Sequence, residues 1–106
     1  MAGRDAENHE LLSGLIRLHI LHHAVKEGLY GQWMIVELGR HGYRISPGTL
    51  YPMLHAMEHK GYLKSSLSGT GRRARRIYRA TQKGRRALAF ARERVRELFG
   101  ELVEGR

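Results

Sequence analysis

Cysteine is absent from the 106 residues. That removes disulfides, thiolate zinc sites and thiol nucleophiles together, so any metal would have to be held by His, Asp and Glu. No apolar run approaches the roughly 18 to 20 residues that a membrane span requires. Proline occurs only twice, as Pro47 and Pro52, and no Pro-rich linker, low-complexity tract or internal repeat divides the chain. The length fits one domain after a flexible start over residues 1–10. A domain this small buries a modest share of its surface, which makes self-association an expected source of stability. Residues 1–10 are polar and lack the charged-then-apolar plan of a signal peptide, so a cytoplasmic location is expected.

Carboxylates are also scarce, and unevenly so. The chain carries 19 Lys and Arg against 10 Asp and Glu, a net charge of +9. Five basic and six acidic residues lie in 1–59, fourteen basic and four acidic in 60–106, and none of the acidic ones falls between His59 and Arg92. One-sided charge of this kind points to a polyanion, either nucleic acid or an anionic membrane surface. A basic face kept for solubility usually mixes both signs.

What is present reads as a mainly α (α+β) chain in the order helix, helix, helix, hairpin, helix. A first helix is expected from Leu11 to Lys26, with a narrow polar edge at Ser13, Arg17 and Ala24. Glu27-Gly28 ends it. A second helix from about Gln32 to Arg40 turns Met34, Ile35 and Leu38 inward and stops at His41-Gly42. Ser46 as N-cap and Pro47 at the first helical position open a third, with Leu50, Leu54 and Met57 on one face. Pro52 deletes a backbone hydrogen bond inside that helix, so a kink is expected there. Tyr62–Leu67 and Arg76–Ala80 read as two strands around the Gly- and Arg-rich tip at 68–75. Thr81 caps a last helix with an apolar stripe of Leu88, Ala91, Val95, Leu98, Phe99 and Leu102 and a charged opposite face.

Two short helices joined by a glycine-containing turn and followed by a basic hairpin make a winged helix-turn-helix with a two-stranded wing. On this reading residues 11–81 form a DNA-binding domain and 82–106 a dimerisation helix. The third helix would enter the major groove of double-stranded DNA, exposing Ser46, Thr49, Tyr51, His55 and His59. Tyr51 serves equally well as a core or interdomain contact. Lys64, Arg72, Arg73 and Arg75, joined by Arg76 and Arg79, would meet phosphate or the minor groove. The stripe of the last helix suits a two-fold mate, giving a homodimer. Nothing in the chain has the context of a catalytic serine, a carboxylate pair or a phosphate loop, so an enzyme is not expected. A basic RNA- or ribosome-associated module and a protein-interaction adaptor are the competing readings.

The string Ser46-Pro47-Gly48-Thr49-Leu50-Tyr51-Pro52, preceded by Gly42-Tyr43-Arg44-Ile45 and followed by Glu58, Gly61, Tyr62 and Leu63, closely resembles the signature of the PadR regulators. Leu29-Tyr30-Gly31 and the run from Arg76 to Gly84 resemble the same family, so the likeness spans roughly residues 11 to 90. It implies a homodimeric repressor of the short type, with a single C-terminal helix. Such a repressor binds an inverted repeat and releases it when an effector arrives. It also accounts for Pro52 as a feature of the reading helix. His19 and His23 depart from the apolar residues usual at their positions. Trp33 in the second helix is a further departure, and the last helix lacks the tryptophan of members that build a flat aromatic pocket there.

Seven histidines are many for this length, and His19, His22 and His23 crowd the apolar arc of the first helix. His19 and His23, four apart, suit convergence on one metal ion. Imidazoles packing at an interface and bonding to backbone are the other reading, since two ligands fall short of a site. No cofactor is required. A divalent metal is the candidate effector, with His19, His22, His23 and Trp33 as its expected surroundings, and a small molecule is the alternative.

Overall fold

The computed structural model describes the backbone of residues 2–106 and the side-chain surroundings of residues 8–106. Eight elements follow in order: α1 (Ala2–Lys26), β1 (Leu29–Tyr30), α2 (Gly31–Arg40), α3 (Pro47–His59), β2 (Leu63–Ser68), a 3-10 turn (Gly71–Arg73), β3 (Arg75–Ala80) and α4 (Gln82–Leu102). The core draws on every helix and every strand: Ile16, Ile20, Leu21 and Ala24 from α1, Leu29 from β1, Met34 and Leu38 from α2, Leu50, Met53, Leu54 and Met57 from α3, Leu63, Tyr78 and Ala80 from the wing strands, and Leu88 from α4. On α1 the buried Ile16, Ile20 and Ala24 recur every four residues, which is the spacing of one helix face.

Three expectations are corrected here. The first helix begins at Ala2, nine residues before the expected Leu11. Ala24, placed on the polar edge of α1, is buried. The two-stranded β2–β3 wing is present as expected, and β1 joins it in a three-stranded sheet of order β1-β3-β2, with Leu29 opposite Tyr78 and Tyr30 opposite Ile77. β1 thereby covers the edge of β3 that a two-stranded wing would leave open. Leu88, assigned to the dimer stripe, is buried in the chain's own core.

The helix-turn-helix is framed by two similar exits. α2 ends through Gly42 at φ +90° and α3 through Gly61 at φ +87°. In each case the next residue reaches back, Tyr43 N–H to the Leu38 carbonyl and Tyr62 N–H to the Met57 carbonyl, both at 2.9 Å. Those left-handed positions favour glycine. α3 runs through Pro52 unbroken. Pro52 lies on the exposed side, so the Gly48 carbonyl that loses its N–H partner there is open to water.

Candidate functional site

On α3 the buried Leu50, Met53, Leu54 and Met57 leave an outward stripe of Gly48, Pro52, His55 and His59. Ser46 adopts the extended N-cap conformation, but its hydroxyl turns to Thr49 Oγ1 at 3.4 Å and takes no backbone N–H. The first turn therefore has no side-chain cap: Pro47 lacks an N–H, the Thr49 and Leu50 N–H groups reach the Ser46 carbonyl, and Gly48 is exposed. Thr49 is half-buried at the stripe's edge. Tyr51 turns inward instead: its ring packs on the core, and its hydroxyl sits so close to the Gly31 Cα that a β-carbon on Gly31 would overlap it. The core contact, one of the two roles open to Tyr51 in the sequence, is thus present.

The wing is tied to this helix. Glu58 Oε2 accepts from Ser65 N–H at 3.0 Å and from Ser65 Oγ at 2.7 Å, and Arg76 donates to the same Oγ at 3.1 Å. One face of the β2–β3 ladder buries Leu63, Tyr78 and Ala80 on the core. The other presents Lys64 directly opposite Arg79, with Arg75 farther toward the tip. Like charges placed opposite each other destabilise a sheet, a cost that a polyanion lying across them would offset. Arg72 and Arg73 stand exposed on the 3-10 turn, while Arg75 lies over the Tyr30 ring at 4.6 Å. The six cations thus share one element but divide between the tip, the outer face and the α3 side.

α4 is anchored at its start. Thr81 Oγ1 accepts from Gly84 N–H at 3.0 Å and donates to the Gly61 carbonyl, and Thr81 N–H reaches the Tyr62 carbonyl at 3.0 Å. Farther on the helix is bare. Val95, Leu98, Phe99 and Leu102 are exposed, Leu102 to 71%. They continue onto α1, where Leu11 is 80% exposed and Leu15 41%. Leu11, Leu15, Leu18, Ala91, Val95, Leu98 and Leu102 line one apolar groove between the two helices.

The histidines gather elsewhere than expected. His23 Nε2 lies 3.4 Å and His41 Nε2 3.0 Å from the same oxygen, Glu37 Oε2. The His19 ring is 4.6 Å from that of His41 and 5.3 Å from Tyr43. His22 is exposed and meets only the edge of His23, at 4.9 Å. Trp33 stands edge-on to His23 at 5.1 Å, which places it against α1. Burial first, and the neighbouring His41 second, hold the His19 imidazole below its usual range; burial and His22 do the same for His23. The hydrogen bond from His41 holds the Glu37 carboxyl low. Both imidazoles are thereby biased toward the neutral form that can donate a lone pair. Glu37 and His41 were missed in the sequence. Their spacing of four across the end of α2 matches that of His19 and His23 on α1, and that match was the available signal.

Residues 20–90 match the model of the transcriptional regulator PadR-like family. The chain belongs to that family. The Transcriptional regulator Rv3488 of Mycobacterium tuberculosis is 50% identical over 96 residues, covering 91% of this chain and 90% of the relative. Among solved structures, a PadR family transcriptional regulator from Eggerthella lenta superposes with a TM-score of 0.72 at 27% identity, and the match covers all of both chains. A PadR-like transcription factor from Bacteroides fragilis reaches 0.78 at 22% identity over 95% of this chain and 99% of that one, a likeness of fold. The PadR-like fold of the chain is therefore a winged helix-turn-helix with a long C-terminal helix. Among the described residues, no helix is long and apolar enough to cross a membrane.

Proposed function

We propose that this PadR-like regulator acts as a homodimeric, effector-responsive repressor that grips an inverted-repeat operator with α3 and the wing of each protomer. The observation that carries the reading is the Glu58–Ser65–Arg76 link. It holds the exposed stripe of α3 and a wing free of carboxylates as one unit, so groove and backbone contacts can form together. Gly48, Pro52, His55 and His59 would face base edges, the α3 N-terminus a phosphate, and Arg72 and Arg73 the flanking backbone or minor groove. Tyr51 supports α3 from behind. The α1–α4 groove is the surface for the second copy: its apolar residues come from two helices, and a two-fold axis would bury both sets at once.

The test is binding of wild type and an Arg72→Ala, Arg73→Ala variant to duplexes selected from a random pool, measured across a salt series. The variant should bind all sequences more weakly and lose roughly one unit of log–log salt slope per lost phosphate contact. Unchanged affinity and slope would remove the wing from the interface. Preference for structured RNA over any duplex would favour the RNA-binding reading.

A further inference from the structure

Three side chains, from α1, from α2 and from the cap that ends α2, converge on one point. His23 comes from α1, Glu37 from α2, and His41 is the residue that ends α2. One ligand atom from each lies within 4.8 Å of the others, and the two nitrogens are 3.4 and 3.0 Å from the shared carboxylate oxygen. With metal–nitrogen and metal–oxygen bonds of about 2.0–2.2 Å, the ligands of a tetrahedral ion stand about 3.3–3.5 Å apart. The 3.4 Å spacing falls on that edge and the 3.0 Å spacing slightly below it, so an ion fits with small side-chain rotations. Glu37 is mostly shielded, with 15% of its side chain accessible, whereas Arg40, its other charged neighbour, points to solvent at 3.9 Å. His19, one turn before His23 and with its ring 4.6 Å from that of His41, is the closest further imidazole.

We infer that His23, Glu37 and His41 form a binding site for a divalent transition-metal ion of the zinc, cobalt, nickel or copper group, and that this ion is the regulator's effector. Two neutral imidazoles and one carboxylate suit those ions, and the missing thiolate argues against a soft monovalent one. Three protein ligands leave a fourth position for water or His19. This revises the sequence expectation: His22 drops out of the ligand set, and Glu37 and His41 enter it. The regulatory part rests on the DNA-binding reading above. An ion here would pin α2, the first helix of the helix-turn-helix, to α1. Leu15, Leu18 and Val95 line both the cleft beside the histidines and the α1–α4 groove. Metal binding would thus bias how the reading unit sits on the dimer, and operator affinity would follow.

Trp33 is the chain's single tryptophan, and its ring lies 5.1 Å from that of His23. Its emission therefore reports on the site. Untagged, metal-free protein titrated with cobalt should bind one ion per chain, with the visible absorption of four-coordinate cobalt and a matching change in Trp33 emission. His23→Ala, Glu37→Gln and His41→Ala should each weaken binding about tenfold or more. A His55→Ala, His59→Ala variant, whose histidines lie on α3, should bind as wild type. Glu37→Gln keeps size and shape, so a normal melting curve for it separates loss of a ligand from loss of fold. No cobalt uptake by wild type, or equal uptake by wild type and Glu37→Gln, overturns the site. In a second arm, zinc should shift wild-type affinity for the selected duplex by about fivefold or more and leave that of Glu37→Gln unchanged. A bound ion with no such shift overturns the effector role alone. Failure to bind duplex in either state overturns the DNA reading and leaves the metal site standing on its stoichiometry.

Discussion

Tyr51 and Gly31 show how one residue pair can set the position of a whole helix. The ring of Tyr51 reaches from α3 across to the start of α2, and Gly31 is buried because nothing larger leaves room for the phenol. Gly31→Ala should force the ring aside and tilt α3, at a cost of about 1–3 kcal/mol typical of overpacking. Thermal melting measures that cost. Operator affinity should fall further than stability does, because the displaced helix is the one proposed to read the groove. A variant that melts and binds as wild type would show that Tyr51 has slack. Other residues at this scale were visible in the sequence only in part. The alternation of Leu50, Leu54 and Met57 marked the inner face of α3, but the inward turn of Tyr51 depends on a partner twenty residues earlier. Glu37 was invisible for the same reason: a single carboxylate on a short helix has no meaning until α1 brings His23 beside it.

Among the elements, the junction of α3, β2 and α4 carries the most constraint. Gly84, on the first turn of α4, lies so close to the Tyr62 carbonyl that a β-carbon would overlap the oxygen and would also come within 3.3 Å of Leu21 on α1. A backbone atom cannot step aside as a side chain can. Gly84→Ala should therefore lower stability by about 1–3 kcal/mol or more, read as a drop in the midpoint of chemical denaturation. A wild-type midpoint would mean that α4 can slide on the wing. The elements themselves were largely legible, because α2, α3, the β2–β3 hairpin and α4 each have a period, a cap or a turn signal. β1 was not, since two residues carry no period and its pairing with β3 is a tertiary contact. The early start of α1 was missed because residues 2–10 are polar and offer no apolar repeat to mark a helix.

At the scale of the molecule, two surfaces must work together, and they fail differently. Leu98 and Leu102 are 43% and 71% exposed in the single chain, so replacing both with Ala removes little from its own core. The loss falls on the proposed dimer. Sedimentation should show the Leu98→Ala, Leu102→Ala variant as a folded monomer at concentrations where wild type is dimeric, with a melting curve that loses its dependence on protein concentration. Operator binding should weaken as well, but conditionally: a second protomer can still be recruited by mass action, so raising the protein concentration should recover occupancy with a steeper dependence than wild type. The Arg72→Ala, Arg73→Ala variant lacks contacts rather than a partner. Its occupancy should rise with concentration along the wild-type shape, displaced to weaker affinity. Identical curve shapes for the two variants would mean that the α1–α4 groove does not join the protomers. A wild type that stays monomeric at micromolar concentration, with or without operator, would require each half of the inverted repeat to be read alone.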